Sequence, residues 1–238
     1  MTKRLLPHLL EGCFTPLLHP HRIHLWTASL EDFTPCISRL SPFLSRDDHE
    51  RACRVSFERD KQRVLVSRGL VKGLLAGYLK VCPSHIHLGQ GVNGKPELAL
   101  ASGRQPLLFN VSHSHDLILF AFSRSLHVGV DVEHVRSMDD ADSLAGHFFH
   151  PMEVHWFRKV PGELKPAAFF DLWTRKEAYV KATGQGLSCP LDSFCVVGET
   201  QGAGRFTIKI DDADGRQGAA GFSVASARGY RAAVVYLR

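Results

Sequence analysis

The sequence predicts an α+β fold made of two comparable halves, because two long helical segments alternate with groups of strands. Residues 45–79 and residues 166–183 carry apolar side chains at helical spacings. Residues 117–123 (LILFAFS) and residues 127–133 (HVGVDVE) have patterns typical of strands. With 238 residues, 44% of them hydrophobic, the chain has enough apolar material for one large domain or two small ones.

The first half predicts a strand, a long helix and a loop-rich stretch. Residues 22–28 alternate apolar and polar side chains, as a half-buried strand does. Residues 45–48 (SRDD) include helix-capping types, so one helix is expected from there to about Leu79. Residues 83–110 are rich in glycine and proline, which favours loops and short strands. The polar face of the helix carries basic residues for which solvent exposure is expected: Arg51, Arg54, Arg59, Lys61, Arg63 and Arg68.

The second half predicts a helix followed by strands. Pro166 suits the first turn of the helix and Gly184 lies just beyond its end. An Arg-Ser turn between the two central strands is the expected boundary between an N-terminal half, residues 1–125, and a C-terminal half, residues 126–238. The remaining chain predicts strands separated by an Asp- and Gly-rich turn at residues 211–218: residues 205–210, 222–227 and 230–237.

Charge and composition limit the classes of function. The net charge of +5 and the pI near 9.0 suit an anionic partner, and nucleic acid, a nucleotide cofactor or an acidic protein would all fit. The basic residues are not interleaved with base-stacking aromatics, so nucleic-acid binding is not expected. No segment approaches the ~20 apolar residues of a membrane-spanning helix, and Pro7 and charges interrupt the N-terminus. We therefore expect a cytoplasmic protein that does not bind membranes.

An acidic pair lies on the strand at residues 127–133. Asp131 and Glu133 are two apart, so their side chains point to one face of the sheet. Two such carboxylates repel each other unless a cation lies between them, and Mg²⁺ prefers oxygen ligands of this kind. Plain solvation at a strand end explains the pair equally well.

The second helix carries Glu177 and Lys181 on one face, with Trp173 one turn earlier. An ordinary helix-stabilising ion pair is the alternative explanation for this spacing. Upstream, residues 89–94 match G-x-G-x-x-G, but no helix follows them, which argues against a dinucleotide fingerprint.

Two further segments can hold phosphate. Gly94-Lys95-Pro96 is a tight turn that presents a lysine, and residues 110–115 (NVSHSH) supply hydroxyls and an imidazole. The asparagine and serines can equally cap their own backbone.

In this order, the segments resemble the Sfp-type 4′-phosphopantetheinyl transferases over about Trp26 to Phe194. The family couples G-[IV]-D-[IV]-E to a downstream W-[ST]-x-K-E-[AS]-x-x-K, and the chain matches both parts. The matching segments are GKP at 94–96, NVSHS at 110–114, GVDVE at 129–133, LWTRKEAYVKATGQGL at 172–187 and PLDSF at 190–194.

The resemblance implies a fold of two similar α+β halves related by a pseudo-twofold, with the active site in the cleft between them, and a monomer. It implies a divalent metal, Mg²⁺ or Mn²⁺, held by Asp131, Glu133 and Glu177. The residues that it places against coenzyme A are Arg51 at the 3′-phosphate, Lys95, Pro96, Ser112, His113, Asp131 and Lys181.

The implied activity transfers 4′-phosphopantetheine from coenzyme A to a serine of an acyl or peptidyl carrier protein and releases adenosine 3′,5′-bisphosphate. Glu177 is then the expected base, acting directly or through a metal-bound water, and Lys181 stabilises the leaving group. His113 orients a phosphate, or adds positive charge if it is protonated. Carriers of fatty acid, polyketide and nonribosomal peptide assembly all fit. The alternative is a non-catalytic protein of the same fold that binds coenzyme A or a nucleotide.

Overall fold

The computed structural model describes residues 2–7, 16–91, 95–99, 107–197, 199–200, 204–210, 219–224 and 227–237. The first half contains β1 Thr2–Arg4, β2 Ile23–Ser29, α1 Leu30–Phe33, α2 Ile37–Leu40, α3 Arg46–Cys53, α4 Glu58–Leu79, β3 Leu88–Gln90, β4 Pro96–Leu98, β5 Leu108–Ser114 and β6 Leu117–Ser123. The second half contains β7 His127–His134, α5 Ala141–Phe148, α6 Pro151–Phe157, α7 Lys165–Thr183, β8 Phe194–Cys195, β9 Glu199–Thr200, β10 Arg205–Thr207, β11 Lys209–Ile210, β12 Ala219–Ser223 and β13 Tyr230–Leu237.

The predicted α+β class is confirmed, since each half combines a sheet with one long helix. The first sheet has the strand order β1-β2-β6-β5, in which only β1 and β2 are parallel. The second sheet is antiparallel with the order β7-β13-β12-β10-β9. Two short ladders, β3 with β4 and β8 with β11, lie outside these sheets.

Strand β6 is buried along its whole length, which explains its unbroken apolar sequence. On one face, Ile118 and Phe120 pack in a cluster with Leu70 of helix α4. On the other face, Leu119 shares a cluster with Val130 of β7. The two sheets therefore pack against each other between the two long helices, because a further cluster joins the second sheet to α7.

The expected single helix from residue 45 to Leu79 is wrong. The chain forms α3 and α4 and leaves helical geometry between them. Buried Asp48 of α3 accepts hydrogen bonds from Arg68 Nε of α4, at 2.7 Å, and from Lys72 Nζ. These bonds require α3 to fold back against α4. Arg68 is therefore 13% exposed, which contradicts the expected solvation of this basic residue.

Most other predicted elements are present. The strands at residues 117–123 and 230–237 and the helix that ends at Thr183 are confirmed, and Gly184 caps the helix at a φ of +73°. The predicted strand at residues 205–210 is divided between β10 and β11, which belong to different sheets. The predicted turn at residues 211–218 lies outside the described residues. Within the described ranges, no helix is both long enough and apolar enough to cross a membrane.

Candidate active site

The two halves meet along strands β5 and β7, where side chains of β5 bond to β7. Alternate residues of β5, namely Asn110, Ser112 and Ser114, all take part. Asn110 Oδ1 accepts a hydrogen bond from Val130 N at 2.8 Å, and Ser114 Oγ accepts one from His134 N at 3.1 Å. Side chains thus hold the acidic strand of the second half against the first half.

Asp131 lies at the centre of this junction and is 3% exposed. Its Oδ1 accepts hydrogen bonds from Ser112 Oγ at 2.8 Å and from Lys181 Nζ at 2.6 Å. Its Oδ2 is buried, and no hydrogen-bond donor reaches it from the described part of the chain. Lys181 therefore neutralises the carboxylate only on one side, which leaves the second oxygen in need of a cation or donor.

Glu133 and Glu177 extend this acidic site. Burial raises the pKa of Glu133, the negative charge of Asp131 raises it further, and the hydrogen bond from Ser114 Oγ at 2.7 Å opposes both effects. Burial also raises the pKa of Glu177, where the charge of Lys181 opposes the charge of Asp131. The negative charge of Asp131 therefore raises the pKa of both glutamates.

The three carboxylates fit a divalent cation by their chemistry. Buried carboxylate oxygens are the ligands that Mg²⁺ and Mn²⁺ prefer, and the unpartnered Oδ2 of Asp131 supplies one. Among the residues with described positions, no three His, Cys, Asp or Glu side chains already form a metal-binding group. Glu133 and Glu177 remain candidate ligands beside Asp131, rather than members of a preformed shell.

His113 lies under the influence of two positive charges, those of Arg63 and Lys181. Partial burial lowers the pKa of His113, and the charges of Arg63 and Lys181 lower it further, which favours the neutral imidazole. Arg63 pairs with Asp60 on the same helix, and its Nε is buried without a hydrogen-bond partner in the described structure. Contrary to the expected solvation, the Arg63 side chain is only 19% exposed.

Lys95, which directly precedes strand β4, connects the first half to helix α7 of the second half. Its Nζ donates a hydrogen bond to the Lys181 carbonyl oxygen at 2.7 Å, and burial lowers its pKa. Pro96 begins strand β4 directly after it, whereas Gly94 of the predicted turn lies outside the described residues. The lysine therefore lies beside the Asp131–Lys181 pair.

A cavity of about 790 Å³ opens next to these residues. Both halves line it, and its wall is mostly apolar. Lys95, Pro96 and Val111 come from the first half, and Trp173, Glu177 and Leu191 are among those from the second. A polar edge at the end of an apolar cleft suits a ligand that carries both phosphates and a less polar arm.

Comparisons with known proteins show which family the chain resembles. Residues 24–125 match the family described as 4′-phosphopantetheinyl transferase, N-terminal, and residues 127–235 match the 4′-phosphopantetheinyl transferase superfamily. The chain is 39% identical to the 4′-phosphopantetheinyl transferase HetI of Nostoc sp. over 166 residues, which cover 70% of each protein.

The chain belongs to the 4′-phosphopantetheinyl transferase superfamily. The transferase Sfp of Bacillus subtilis strain 168 is 28% identical over 174 residues, 73% of this chain and 74% of that protein. The holo-[acyl-carrier-protein] synthase structure of Thermotoga maritima aligns with a TM-score of 0.38 at 20% identity, over 47% of this chain and 62% of that one. The family resemblance seen in the motifs is confirmed, and the protein is an enzyme of this transferase class.

The structure brings several of the predicted site residues together. Hydrogen bonds join Lys95, Lys181, Asp131 and Ser112. Arg51 lies on α3, where its Nε pairs with Asp47 Oδ2 at 2.9 Å. Its contact with a nucleotide stays a prediction. Ser112 and Lys181 bond to the Asp131 carboxylate, and the charge of Asp131 acts on His113, Glu133 and Glu177. Lys95 and Pro96 line the adjoining cavity together with Glu177 and Lys181.

Lys176 belongs to the matching motif at residues 172–187, but the family resemblance implies no role for it. It precedes Glu177, and both it and Glu153 of α6 are completely buried. Its Nζ bonds to Glu153 Oε2 at 2.8 Å and to the carbonyl oxygens of Leu191 and Phe194, each at 2.6 Å. The ammonium therefore fixes the loop that walls the cavity. A lysine among the apolar residues of a helix was the available sequence signal.

Proposed function

We propose that this transferase moves the 4′-phosphopantetheine group from coenzyme A to a serine hydroxyl of an acyl or peptidyl carrier protein. The observation that carries the proposal is buried Asp131 beside a cavity lined by both halves. One of its oxygens pairs with Lys181, and the other has no hydrogen-bond partner in the described part of the chain. This arrangement suits a pyrophosphate, because cations and a carboxylate that can hold a metal lie together.

The reaction joins the serine oxygen to the phosphorus that bears pantetheine and breaks the bond from that phosphorus to the bridging oxygen. Adenosine 3′,5′-bisphosphate leaves with the bridging oxygen. In our proposal Glu177 removes the serine proton, and its raised pKa brings it closer to working pH than an ordinary glutamate. The proton then passes from Glu177 to solvent.

Positive side chains would stabilise the phosphates. Lys181, already held by Asp131 and Ser112, would face the charge that develops on the departing bisphosphate. His113 has a lowered pKa and would orient a phosphate as a neutral donor. Lys95, Pro96 and Arg51 complete the proposed coenzyme A contacts, with Arg51 at the 3′-phosphate.

A divalent ion fits the carboxylates of Asp131, Glu133 and Glu177, and Mg²⁺ or Mn²⁺ would satisfy their preference for hard cations. When bound, such an ion supplies positive charge at the pyrophosphate oxygens. The apolar cavity walls beside Trp173 and Leu191 would take the pantetheine arm.

The carrier domain would approach as an acidic partner. The chain carries a net charge of +5, which favours association with an acidic helix beside the acceptor serine. That association would weaken as salt rises. Both halves of the site lie in one chain, so a monomer would suffice. We place this monomer in the cytoplasm.

Intact mass spectrometry of a purified apo-carrier protein tests the proposal. The carrier is incubated with the transferase, coenzyme A and Mg²⁺, and EDTA is added in a parallel sample. Asp131→Asn removes the proposed ligand, and Asp142→Asn, at a half-exposed surface ion pair, is the matched control. We expect a mass gain of one phosphopantetheine group with the wild type and Asp142→Asn, and none with EDTA or Asp131→Asn.

Two results would count against the proposal. If several unrelated carriers gain no mass while coenzyme A still binds, the non-catalytic alternative is correct. If EDTA leaves the rate unchanged, the carboxylates do not hold a required metal.

A further inference from the structure

Ser114 bridges the two halves by bonding to strand β7, and the proposed reaction gives it no role. It is the last residue of β5 and is half-buried. Its Oγ lies 2.7 Å from Glu133 Oε2 and 3.1 Å from His134 N, both on β7. One hydroxyl therefore contacts the side chain of the outer acidic residue and the main chain directly after it.

The direction of these bonds is fixed by chemistry. The main-chain N–H of His134 can only donate, so Ser114 Oγ accepts there. The single hydroxyl hydrogen is then free to point at the carboxylate of Glu133. The hydroxyl thus holds one oxygen of Glu133 in place.

We propose that Ser114 is a positioning residue that orients Glu133 as a metal ligand, an inference that rests on the proposed function. Ligands held by such outer hydrogen bonds typically lose 10–100-fold in metal affinity when the outer partner is removed, and we expect about tenfold here. Because Ser114 belongs to the first half and Glu133 to the second, the bond also ties metal affinity to the contact between the halves.

The neighbouring serine shows that the role is specific. Ser112, two residues earlier on the same face of β5, donates to Asp131 Oδ1 and accepts from Lys181 Nζ. Each hydroxyl thus serves one acidic residue of β7. Removing Ser114 leaves the Asp131–Lys181 pair intact, so its effect is separable from that of the central carboxylate.

The test measures binding of Mn²⁺ by electron paramagnetic resonance of the free ion, with coenzyme A present and no carrier, so that no turnover occurs. Samples of coenzyme A without protein correct for its own Mn²⁺ binding. The variants are Ser114→Ala, Ser114→Thr, which keeps the hydroxyl, and Ser123→Ala. Ser123 is a matched control, because it is buried on β6 and accepts hydrogen bonds from Ser125 N and Leu126 N.

We expect Ser114→Ala to weaken Mn²⁺ binding about tenfold, while Ser114→Thr and Ser123→Ala bind like the wild type. Coenzyme A affinity without metal should not change in Ser114→Ala. In a Glu133→Gln background, Ser114→Ala should add no further loss, because the two residues act as one unit.

The outcomes separate this inference from the proposed function. If the wild type and Ser114→Ala bind Mn²⁺ equally, the positioning role is overturned and the proposed function stands. If the wild type itself binds no Mn²⁺ beyond the coenzyme A control, the positioning role and the proposed metal site are both overturned. Equal weakening in Ser123→Ala and Ser114→Ala would assign the effect to general loosening of the sheet, which also overturns the role.

Discussion

Gly129 of strand β7 lies directly against the main chain of Ala178 in helix α7. A methyl group on Gly129 would overlap the Ala178 carbonyl oxygen and the Ala182 nitrogen, and would lie 2.9 Å from the Lys181 carbonyl carbon. Strand and helix therefore approach more closely than a side chain would allow. This approach brings Asp131 of the strand within reach of Lys181 of the helix.

Gly129→Ala should therefore separate the helix from the strand. The obstacles are main-chain atoms, which cannot rotate away, so we expect a loss of about 2 kcal/mol in the free energy of unfolding. Transferase activity should also fall, by more than the unfolded fraction of the protein explains, because the Asp131–Lys181 pair opens. Urea unfolding and initial rates measure the two effects.

Gly146→Ala is the matched control for that substitution. Gly146 lies in helix α5, and nothing lies within 4 Å of a methyl group built on it. Alanine there should stabilise the helix by about 0.5–1 kcal/mol. Full activity in Gly129→Ala would show that the close approach does not matter.

Arg63→Met should raise the pKa of His113. The positive charge of Arg63 is one of the causes that lower this pKa, so its removal makes the imidazolium easier to form. An NMR titration of the histidine ring protons measures the change, with the His113 signal assigned by its loss in His113→Gln. Arg59→Met, at an exposed position on the same helix, should leave the signal unchanged. An unchanged His113 pKa in Arg63→Met would show that the charge of Arg63 does not act on His113.

Lys176→Met should destabilise the transferase strongly. It leaves the carboxylate of Glu153 buried without its cation, which costs about 3–5 kcal/mol. Adding Glu153→Gln should recover part of this loss, because the uncompensated charge disappears. Lys165→Met, which breaks a partly exposed pair with Asp142, should cost about 0–1 kcal/mol. Chemical unfolding of the wild type and the three variants compares these costs, and equal values for Lys176→Met and Lys165→Met would refute the prediction.

Asp48 should make the fold sensitive to acid. Burial alone would raise the pKa of Asp48, but hydrogen bonds from Lys72, Ser45 and Arg68 outweigh it and hold the pKa well below its usual range. A lowered folded-state pKa gives stability that is complete above the unfolded value, about 4, and is lost as the pH falls below it.

Asp48→Asn tests this contribution. We expect a loss of about 3 kcal/mol at pH 7, since Lys72 keeps its buried charge without a carboxylate. The difference from the wild type should shrink as the pH falls below about 4. Urea unfolding at pH 7, 4 and 3 measures it. A difference that stays constant over this range would mean that the pKa of Asp48 is not lowered.

Local patterns in the sequence determined the strands at residues 117–123 and 230–237, the helix that ends at Thr183 and the α+β class. These elements are set by apolar spacing and by terminal residues such as Gly184, which depend on near neighbours in the chain. The ordered motifs likewise determined the family, whereas the roles that they imply for the site residues stay predictions.

Only the tertiary structure decided which charged residues are buried. Asp48 folds α3 back onto α4, and Lys176 meets Glu153 across α6 and α7. The charge of Arg63 lowers the pKa of His113. In each case the partner lies 20 or more residues away in the chain. In the sequence these residues are indistinguishable from solvated charges, because the cost or gain of burying a charge depends on what surrounds it. The bond from Ser114 to Glu133 has the same origin: it exists because packing of the two sheets brings β5 against β7.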